Sequence, residues 1–265
     1  MKQQMILLKI GGGVITDKTV QYGLREEVLN RLAQEIGEAW TKLGEMKLII
    51  GNGAGSFAHY SAHKYRTNEG FVDENSRVGM GWVRWDAVKL NQIVFEQLLT
   101  SKVPVFSLSP SSLMSVKNGK TKNIFAEPVE DLLTNGMVPL VYGDVMIDQS
   151  RGSIIYSTEK VFDELAKYFA KEYEVRVIHI SAEEGVYKKG KASIYKEINK
   201  DNFADVKEHL GGSNGVDVSG GMLHKVEECL ILSEIGIKSQ IVSGMIPGRV
   251  REAIIGKNVV GTAIC

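Results

Sequence analysis

The stretch Met5-Ile6-Leu7-Leu8-Lys9-Ile10-Gly11-Gly12-Gly13 is an apolar run of strand length that ends in three glycines. Its near-continuous hydrophobicity predicts a strand buried on both faces, as in parallel sheets. The rhythm then repeats. Leu24 to Leu43 carries Leu24, Val28, Leu32, Ile36 and Trp40 at helical spacing and stops at Gly44. Lys47 to Ile50 predicts a second strand, followed by Gly51-Asn52-Gly53-Ala54-Gly55 and a short helix. Strand, glycine loop and helix, twice in succession, predict a mostly parallel α/β sheet.

The rest of the chain keeps this alternation. Val78 to Thr100 predicts a long helix with Val83, Ala87, Leu90, Val94 and Leu98 on one stripe, and Val103 to Ser107 a strand. Val116 to Ile124 predicts a hairpin around Asn118-Gly119. Val129 to Leu133 reads as helix, and Val138 to Tyr142 as a strand ending at Gly143-Asp144. A second hairpin is expected at Ser150-Arg151-Gly152, then a helix over Val161 to Tyr173 and a strand over Val175 to Ser181. Beyond it, Tyr187 to Lys200 is rich in lysine and turn residues, and Gly211 to Gly221 in Gly, Ser and Asn. Met222 to Ile235 and Val250 to Ile255 predict helices, with a strand over Ser239 to Val242 between them. No proline-rich linker divides the chain. The expectation is an N-terminal lobe over residues 1–175 and a C-terminal lobe over residues 176–265, sharing one sheet.

The chain has 265 residues, of which 43% are hydrophobic, enough for a sizeable α/β core. Lys and Arg number 32 against 32 Asp and Glu. A neutral chain exerts no global pull on nucleic acid or acidic membrane, so any anion site must be built locally. The two cysteines, Cys229 and Cys265, lack metal-ligand spacing and read as reduced thiols. The first apolar run is too short for a signal peptide, and no stretch is long enough to span a bilayer. The expectation is a soluble, cytoplasmic protein without nucleic-acid or membrane partners.

Both glycine loops follow strands and open helices. A helix N-terminus presents free N–H groups and partial positive charge. Glycine lets the backbone approach a phosphate, so each loop can also cradle an anion. Lys9 and Lys18 flank the first loop and favour that reading over plain tight turns. The second loop alone also resembles a dinucleotide fingerprint, with Glu69 and Asp73 about 20 residues on. Its spacing is wrong, because the third glycine of G-x-G-x-x-G falls on Ser56. There is no Walker loop, and Ser56 lacks the G-x-S-x-G setting of a hydrolase nucleophile. A third cluster, Asp217-Val218-Ser219-Gly220-Gly221-Met222, opens a helix and places Lys225 one turn inside it. His59 follows the second loop closely and is placed to bond a phosphate.

At this point a family resemblance is specific. Lys9-Ile10-Gly11-Gly12-Gly13 followed by Thr16-Asp17-Lys18 resembles the K-[LI]-G-G-S…[ST]-D-K opening of isopentenyl phosphate kinases. Gly53-Ala54-Gly55-Ser56-Phe57-Ala58-His59 resembles their H-G-G-G-[AS]-F-G-H, followed by Ala62-His63-Lys64-Tyr65. Pro110-Ser111-Ser112, Gly143-Asp144, Gly212-Ser213-Asn214 and Asp217 to Met222 fall in family order along essentially the whole chain. The loop histidine is shared with fosfomycin kinases and absent from many relatives that act on carboxylates.

The resemblance implies the amino-acid-kinase fold, a three-layer αβα sandwich with a mostly parallel central sheet. It implies ATP and Mg²⁺ as cofactors, isopentenyl phosphate as acceptor, isopentenyl diphosphate as product, no resident metal ligands and a homodimer. Lys9 and the Gly11, Gly12 and Gly13 amides would hold the transferring phosphate, and Lys18 would stabilise the transition state. Gly55, Ala182, Gly221 and Lys225 would lie on the nucleotide. Ala54, His59, Val83 and Thr158 would contact the acceptor, with Met80 and Trp82 as further apolar candidates. A phosphomonoester is largely dianionic at neutral pH, so its oxygen needs no general base. Departures from the family pattern are Asn52 and Ala58 around the second loop, Ala54 at its middle glycine, and Gly13 for serine. Further on, Ser157-Thr158-Glu159 replaces S-G-D, and Ser181 to Val186 replaces T-D-V-D-G-V with Ala182 in place of an aspartate. Three other readings stay open: a kinase of another small phosphate or phosphonate such as fosfomycin, a non-catalytic nucleotide sensor, and a dinucleotide-dependent oxidoreductase.

Overall fold

The structure is a computed structural model that describes residues 2–191, 193–210 and 221–265. Its strands are β1 (Gln3–Ile10), β2 (Lys47–Asn52), β3 (Val105–Ser107), β4 (Met114–Lys117), β5 (Lys120–Ile124) and β6 (Val138–Tyr142). They continue with β7 (Asp144–Asp148), β8 (Gly152–Tyr156), β9 (Tyr173–Ser181), β10 (Glu197–Ile198), β11 (Lys238–Ser243) and β12 (Gly261–Ile264). The α-helices are α1 (Gly12–Ile15), α2 (Glu26–Trp40), α3 (Gly55–Lys64), α4 (Ser76–Thr100) and α5 (Pro110–Leu113). After these come α6 (Glu127–Thr134), α7 (Thr158–Phe169), α8 (Phe203–Leu210), α9 (Gly221–Ser233) and α10 (Arg249–Ile254).

Eight strands form one sheet in the order β10-β12-β11-β9-β1-β2-β6-β3. Every neighbouring pair is parallel except β11 and β12. The alternation of side chains along β1 splits the core into two layers. Ile6, Leu8 and Ile10 pack with Leu32 and Ile36 of α2 and Leu90 and Val94 of α4. Met5 and Leu7 pack on the other face with Phe162 and Leu165 of α7 and Leu232 of α9. The result is the expected three-layer αβα sandwich. Lys9 continues the second face, at the point where the apolar layer gives way to the sheet edge. On the first face, Glu35 of α2 ties α2 to α10, accepting from the backbone amides of Gly248, Val250 and Arg251 at 2.9, 3.1 and 3.2 Å.

A smaller sheet, β5-β4-β7-β8, lies outside the main one. Both of its hairpin turns fall where sequence predicts them. Asn118 and Gly119 have φ of 52° and 74°, the left-handed pair that a two-residue hairpin requires. Buried Asp148 joins the turns, accepting from the amides of Asn118, Gly119 and Ser150.

Several boundaries differ from the sequence reading. Leu24 bridges to Thr16 before α2 begins, and Pro104, lacking an N–H, delays β3 to Val105. The helix expected to reach Tyr173 ends at Phe169, because Tyr173 pairs with Gln3 and opens β9. β10, α8 and β12 stand in stretches whose pattern marks no element. The cluster Gly212-Ser213-Asn214 and the stretch Asp217 to Gly220 lie outside the described residues.

Candidate active site

β1 sits between β2 and β9 in the middle of the main sheet, and the two neighbours are reached through helices on opposite faces, β2 through α2 and β9 through α7. In an open α/β sheet such a reversal leaves a crevice outside the carboxyl ends of the strands. The backbone ladder there continues one residue past each strand. Gly11 N–H donates to Ile180 at 3.0 Å, Gly53 to Ile10 at 2.9 Å, and Gly143 to Asn52 at 3.1 Å. The loops after β1, β2, β6 and β9 therefore reach the same rim.

The two glycine loops touch backbone to backbone. A Cβ at Gly12 would lie 2.4 Å from the Gly55 nitrogen, and one at Gly53 would lie 2.8 Å from the Gly12 nitrogen. Gly55 opens α3 with φ of 52°, which favours glycine. Buried Thr16 fastens the pair. Its hydroxyl donates to the Gly12 carbonyl at 2.7 Å and accepts from the Ser56 amide at 3.0 Å.

A cleft of about 970 Å³ opens over this seam. Lys9, Gly11, Gly12, Gly13, Lys18, Ala54, Gly55, His59, Val83, Thr158, Ala182, Gly221 and Lys225 all line it. The structure thus brings these catalytic and binding candidates to one cleft. Trp82 and Met80 do not line it. One residue along α4 turns a side chain by about 100°, so Trp82 lies on the outer face, 51% exposed, while Val83 is buried towards the cleft. Met80 packs behind Val83 in the same small cluster.

Charge is layered beneath the cleft floor. Lys9 is 5% exposed and pairs with Glu159 in the first turn of α7. Burial would push the Glu159 carboxyl up, but the charges of Lys9 and Lys225 outweigh it and hold it at about 2. His179, opposite Lys9 in the β1–β9 register, sits 3.3 Å from the Cys229 sulfur. Burial, reinforced by Lys9 and Lys225, pushes that imidazole down to about 3, so it stays neutral. One turn beyond Glu159, Asp163 is pushed up to about 8, by burial first and then by the facing carboxyl of Glu228.

The departures around the second loop have structural reasons. Asn52 is fully buried. Its Oδ1 accepts from Asn91 at 2.9 Å, and Asn91 in turn accepts from Ser107. It anchors the loop to α4 and β3 and does not face the cleft. Thr158 spends its hydroxyl on the Asn52 carbonyl at 2.7 Å, holding the start of α7 to the end of β2. Ala58 packs with Val83, Ala87, Tyr142 and Val145, and together with Ala62, Val83, Ala87 and Ile155 it lines the cleft, giving it an apolar chamber next to His59. Pattern alone did not single out Arg25, whose guanidinium donates to the Gly13 carbonyl at 3.0 Å. Nor did it give the pairing of buried Asp144 with Arg84, which Ser109 and Ser111 brace at 2.9 Å each. Asp144, Arg25, Lys160 and His224 line the cleft as well.

Four carboxylates line the cleft, Asp17, Asp144, Glu159 and Glu183. Asp144 and Glu159 are committed to Arg84 and Lys9, Asp17 accepts from Thr19, and no group of three His, Cys, Asp or Glu that could hold a metal occurs among the described residues. The donor set therefore fits a magnesium ion brought in on phosphate oxygens, the usual habit of that ion at nucleotide sites. No described helix is long and apolar enough to cross a membrane.

Comparison with known proteins agrees with this geometry. The family model for the amino acid kinase family matches residues 4–243. Isopentenyl phosphate kinase of Methanothermobacter thermautotrophicus is 34% identical, with 98% of each chain covered. The enzyme of the same name from Methanocaldococcus jannaschii is 31% identical over 84% of this chain and 85% of its own. A solved structure described as isopentenyl phosphate kinase superposes with a TM-score of 0.83 at 30% identity, covering 99% of this chain and all of the other. By fold and sequence, the chain belongs to the amino acid kinase family and, within it, to the isopentenyl phosphate kinases.

Proposed function

We propose that the cleft transfers the γ-phosphate of ATP to isopentenyl phosphate, giving isopentenyl diphosphate. The observation that carries the reading is the convergence of two glycine loops, Lys9, Lys18, His59 and Lys225 on one cleft that opens beside an apolar chamber. Relatives named isopentenyl phosphate kinase across nearly the whole length support the choice of acceptor.

In this reading the chemistry asks for positioning and charge stabilisation more than for proton transfer. The acceptor phosphate is already nucleophilic, and the obstacle is the approach of two anions. One ammonium about 4 Å from a unit negative charge contributes roughly 4 kcal/mol at an effective dielectric of about 20. Lys9 and the amides of Gly11, Gly12 and Gly13 hold the transferring group, and Lys18 meets the charge that develops on it. His59 and the Ala54 amide bind the acceptor phosphate, Thr158 lies alongside, and Val83 borders the chamber for the hydrocarbon tail. Gly55, Ala182, Gly221 and Lys225 bind the nucleotide. Mg²⁺ neutralises nucleotide phosphate oxygens when it is bound.

In this reading the acceptor lies on residues 1–175 and the nucleotide mainly on residues 176–265, with Gly55 reaching it from the first lobe. The proposal includes a homodimer, supported by the apolar outer face of α4 at Val78, Trp82 and Trp85. It also includes a cytoplasmic location, where ATP is available and the two free cysteines stay reduced.

Phosphorus NMR of the protein with Mg-ATP and isopentenyl phosphate tests the reading, with His59→Ala and Lys18→Ala alongside. Diphosphate should form in the wild type and fall by orders of magnitude in both variants. Equal turnover in all three overturns the assigned roles, and no transfer by the wild type overturns the acceptor.

A further inference from the structure

α9 presents two successive basic residues to the cleft, His224 and Lys225. The His224 ring is not loose. Its Nε2 lies 2.9 Å from Oε1 of Glu228, one helical turn further on. Glu228 is only 8% exposed, and its Oε2 has no hydrogen-bond partner among the described residues. An exposed histidine–glutamate pair at this spacing is a weak contributor to a helix. It does not account for an acid sunk into the α7–α9 seam, where burial is costly. A carboxylate that backs a histidine facing a ligand site has a clear use: it fixes the ring's orientation and which nitrogen carries the proton.

We infer that His224 is a further contact for the nucleotide's phosphates, and that Glu228 is the positioning residue that holds its ring at the cleft. The inference rests on the kinase reading given above, with the nucleotide at the Gly221 and Lys225 end. With Nε2 engaged by Glu228, Nδ1 is the nitrogen left for a ligand. A polyphosphate beside the ring favours the imidazolium. Nδ1–H then donates to a phosphate oxygen while Nε2–H donates to Glu228. No bond to phosphorus forms at this residue; it acts only as a hydrogen-bond donor.

The charged groups facing the pair are Glu159, Lys160 and Asp163 from α7 and Lys9 from β1, with Lys225 beside His224 on α9. Burial pushes the Glu228 carboxyl up, the His224 charge pulls it down, and the Glu159 charge raises it again. A polyanion arriving at the ring favours its positive charge and with it the hydrogen bond to Glu228.

Steady-state kinetics with Mg-ATP and isopentenyl phosphate at pH 6.5 and 8.5 test this, together with thermal melts and calorimetry of ADP binding. His224→Ala should raise KM for ATP about tenfold, the size of one charge-assisted hydrogen bond. Its KM for isopentenyl phosphate should hold, while its melting temperature falls modestly because Glu228 loses its partner. Glu228→Gln still accepts from Nε2–H and should lie between wild type and His224→Ala. The rise in ATP KM from pH 6.5 to 8.5 should be steeper in the wild type than in His224→Ala. Unchanged ATP kinetics at both pH values in His224→Ala overturn the inference, as does a change confined to the acceptor KM or to the melting temperature. If the wild type transfers nothing to isopentenyl phosphate, the acceptor reading falls and ADP binding decides for His224. ADP should then bind about tenfold more weakly in His224→Ala, and equal affinity overturns the assignment.

Discussion

Lys9 at the end of β1 and Glu159 in the first turn of α7 form an ion pair directly beneath the cleft, with Lys9 almost wholly removed from solvent. The pair links the central strand to the helix that follows the small sheet. It also explains why a lysine tolerates a position where the apolar layer of the core would otherwise continue.

Glu159→Gln leaves Lys9 buried without its counter-charge. Removing one partner of a buried pair costs about 3–5 kcal/mol. The expected outcome is a fall of roughly 10- to 100-fold in kcat, because the ammonium loses the position that the proposed transfer requires of it, and a clear drop in melting temperature. The pH dependence follows from the folded carboxyl at about 2 against roughly 4 when unfolded. Its contribution is complete above the unfolded value and is lost as pH falls through the folded one. Denaturation curves from pH 5 to 2 should therefore show a steeper stability loss in the wild type than in Glu159→Gln.

Gly12→Ala places a methyl carbon 2.4 Å from the backbone nitrogen of Gly55, which cannot yield as a side-chain end would. The loops must part. An expected loss of at least about 100-fold in kcat/KM matches the removal of an oriented backbone donor. Gly81→Ala, on the open side of α4 with nothing within 4 Å, serves as the control and should keep full activity.

Asp163 should limit stability in alkaline solution. Its carboxyl is pushed up to about 8 by burial and by Glu228. The folded state thus holds a proton that the unfolded chain releases near pH 4. Stability contributed at low pH is lost as pH rises between those two values and levels off above the upper one. Asp163→Asn, neutral throughout, should raise the melting temperature by several degrees at pH 8 and by less at pH 5. A constant increment across that range would contradict the buried-carboxyl account.

Ala62, half-buried in the apolar chamber with Val83, lines the cleft. Ala62→Leu fills part of the space assigned to the acceptor's tail. KM for isopentenyl phosphate should rise about 10- to 100-fold, in line with one to two misplaced carbons, while KM for ATP stays within twofold. Initial-rate measurements with each substrate varied in turn check this split.

Much of the architecture was legible in local pattern. Apolar runs ending in glycine marked β1 and β2, a 3.6-residue stripe marked α4, and Asn118-Gly119 marked a hairpin. β12 and α8 were not legible. Gly261 to Ile264 is too short to show a period, and Phe203 to Leu210 is half-exposed and mixed in polarity. At the site, glycines and lysines announced themselves because phosphate chemistry asks for those types near strand ends. The hidden partners come from distant segments. Arg84 meets Asp144, Thr158 meets Asn52, and His179 meets Cys229 only after the sheet assembles. No spacing rule connects residues so far apart in the chain.

Thr16 is a single buried hydroxyl, yet it sets the gap between the two cradles before any reactant arrives. No ligand has to gather the loops, because they already stand joined. The entropy of bringing the loops together is settled once, when the chain folds, and is not charged again at each turnover.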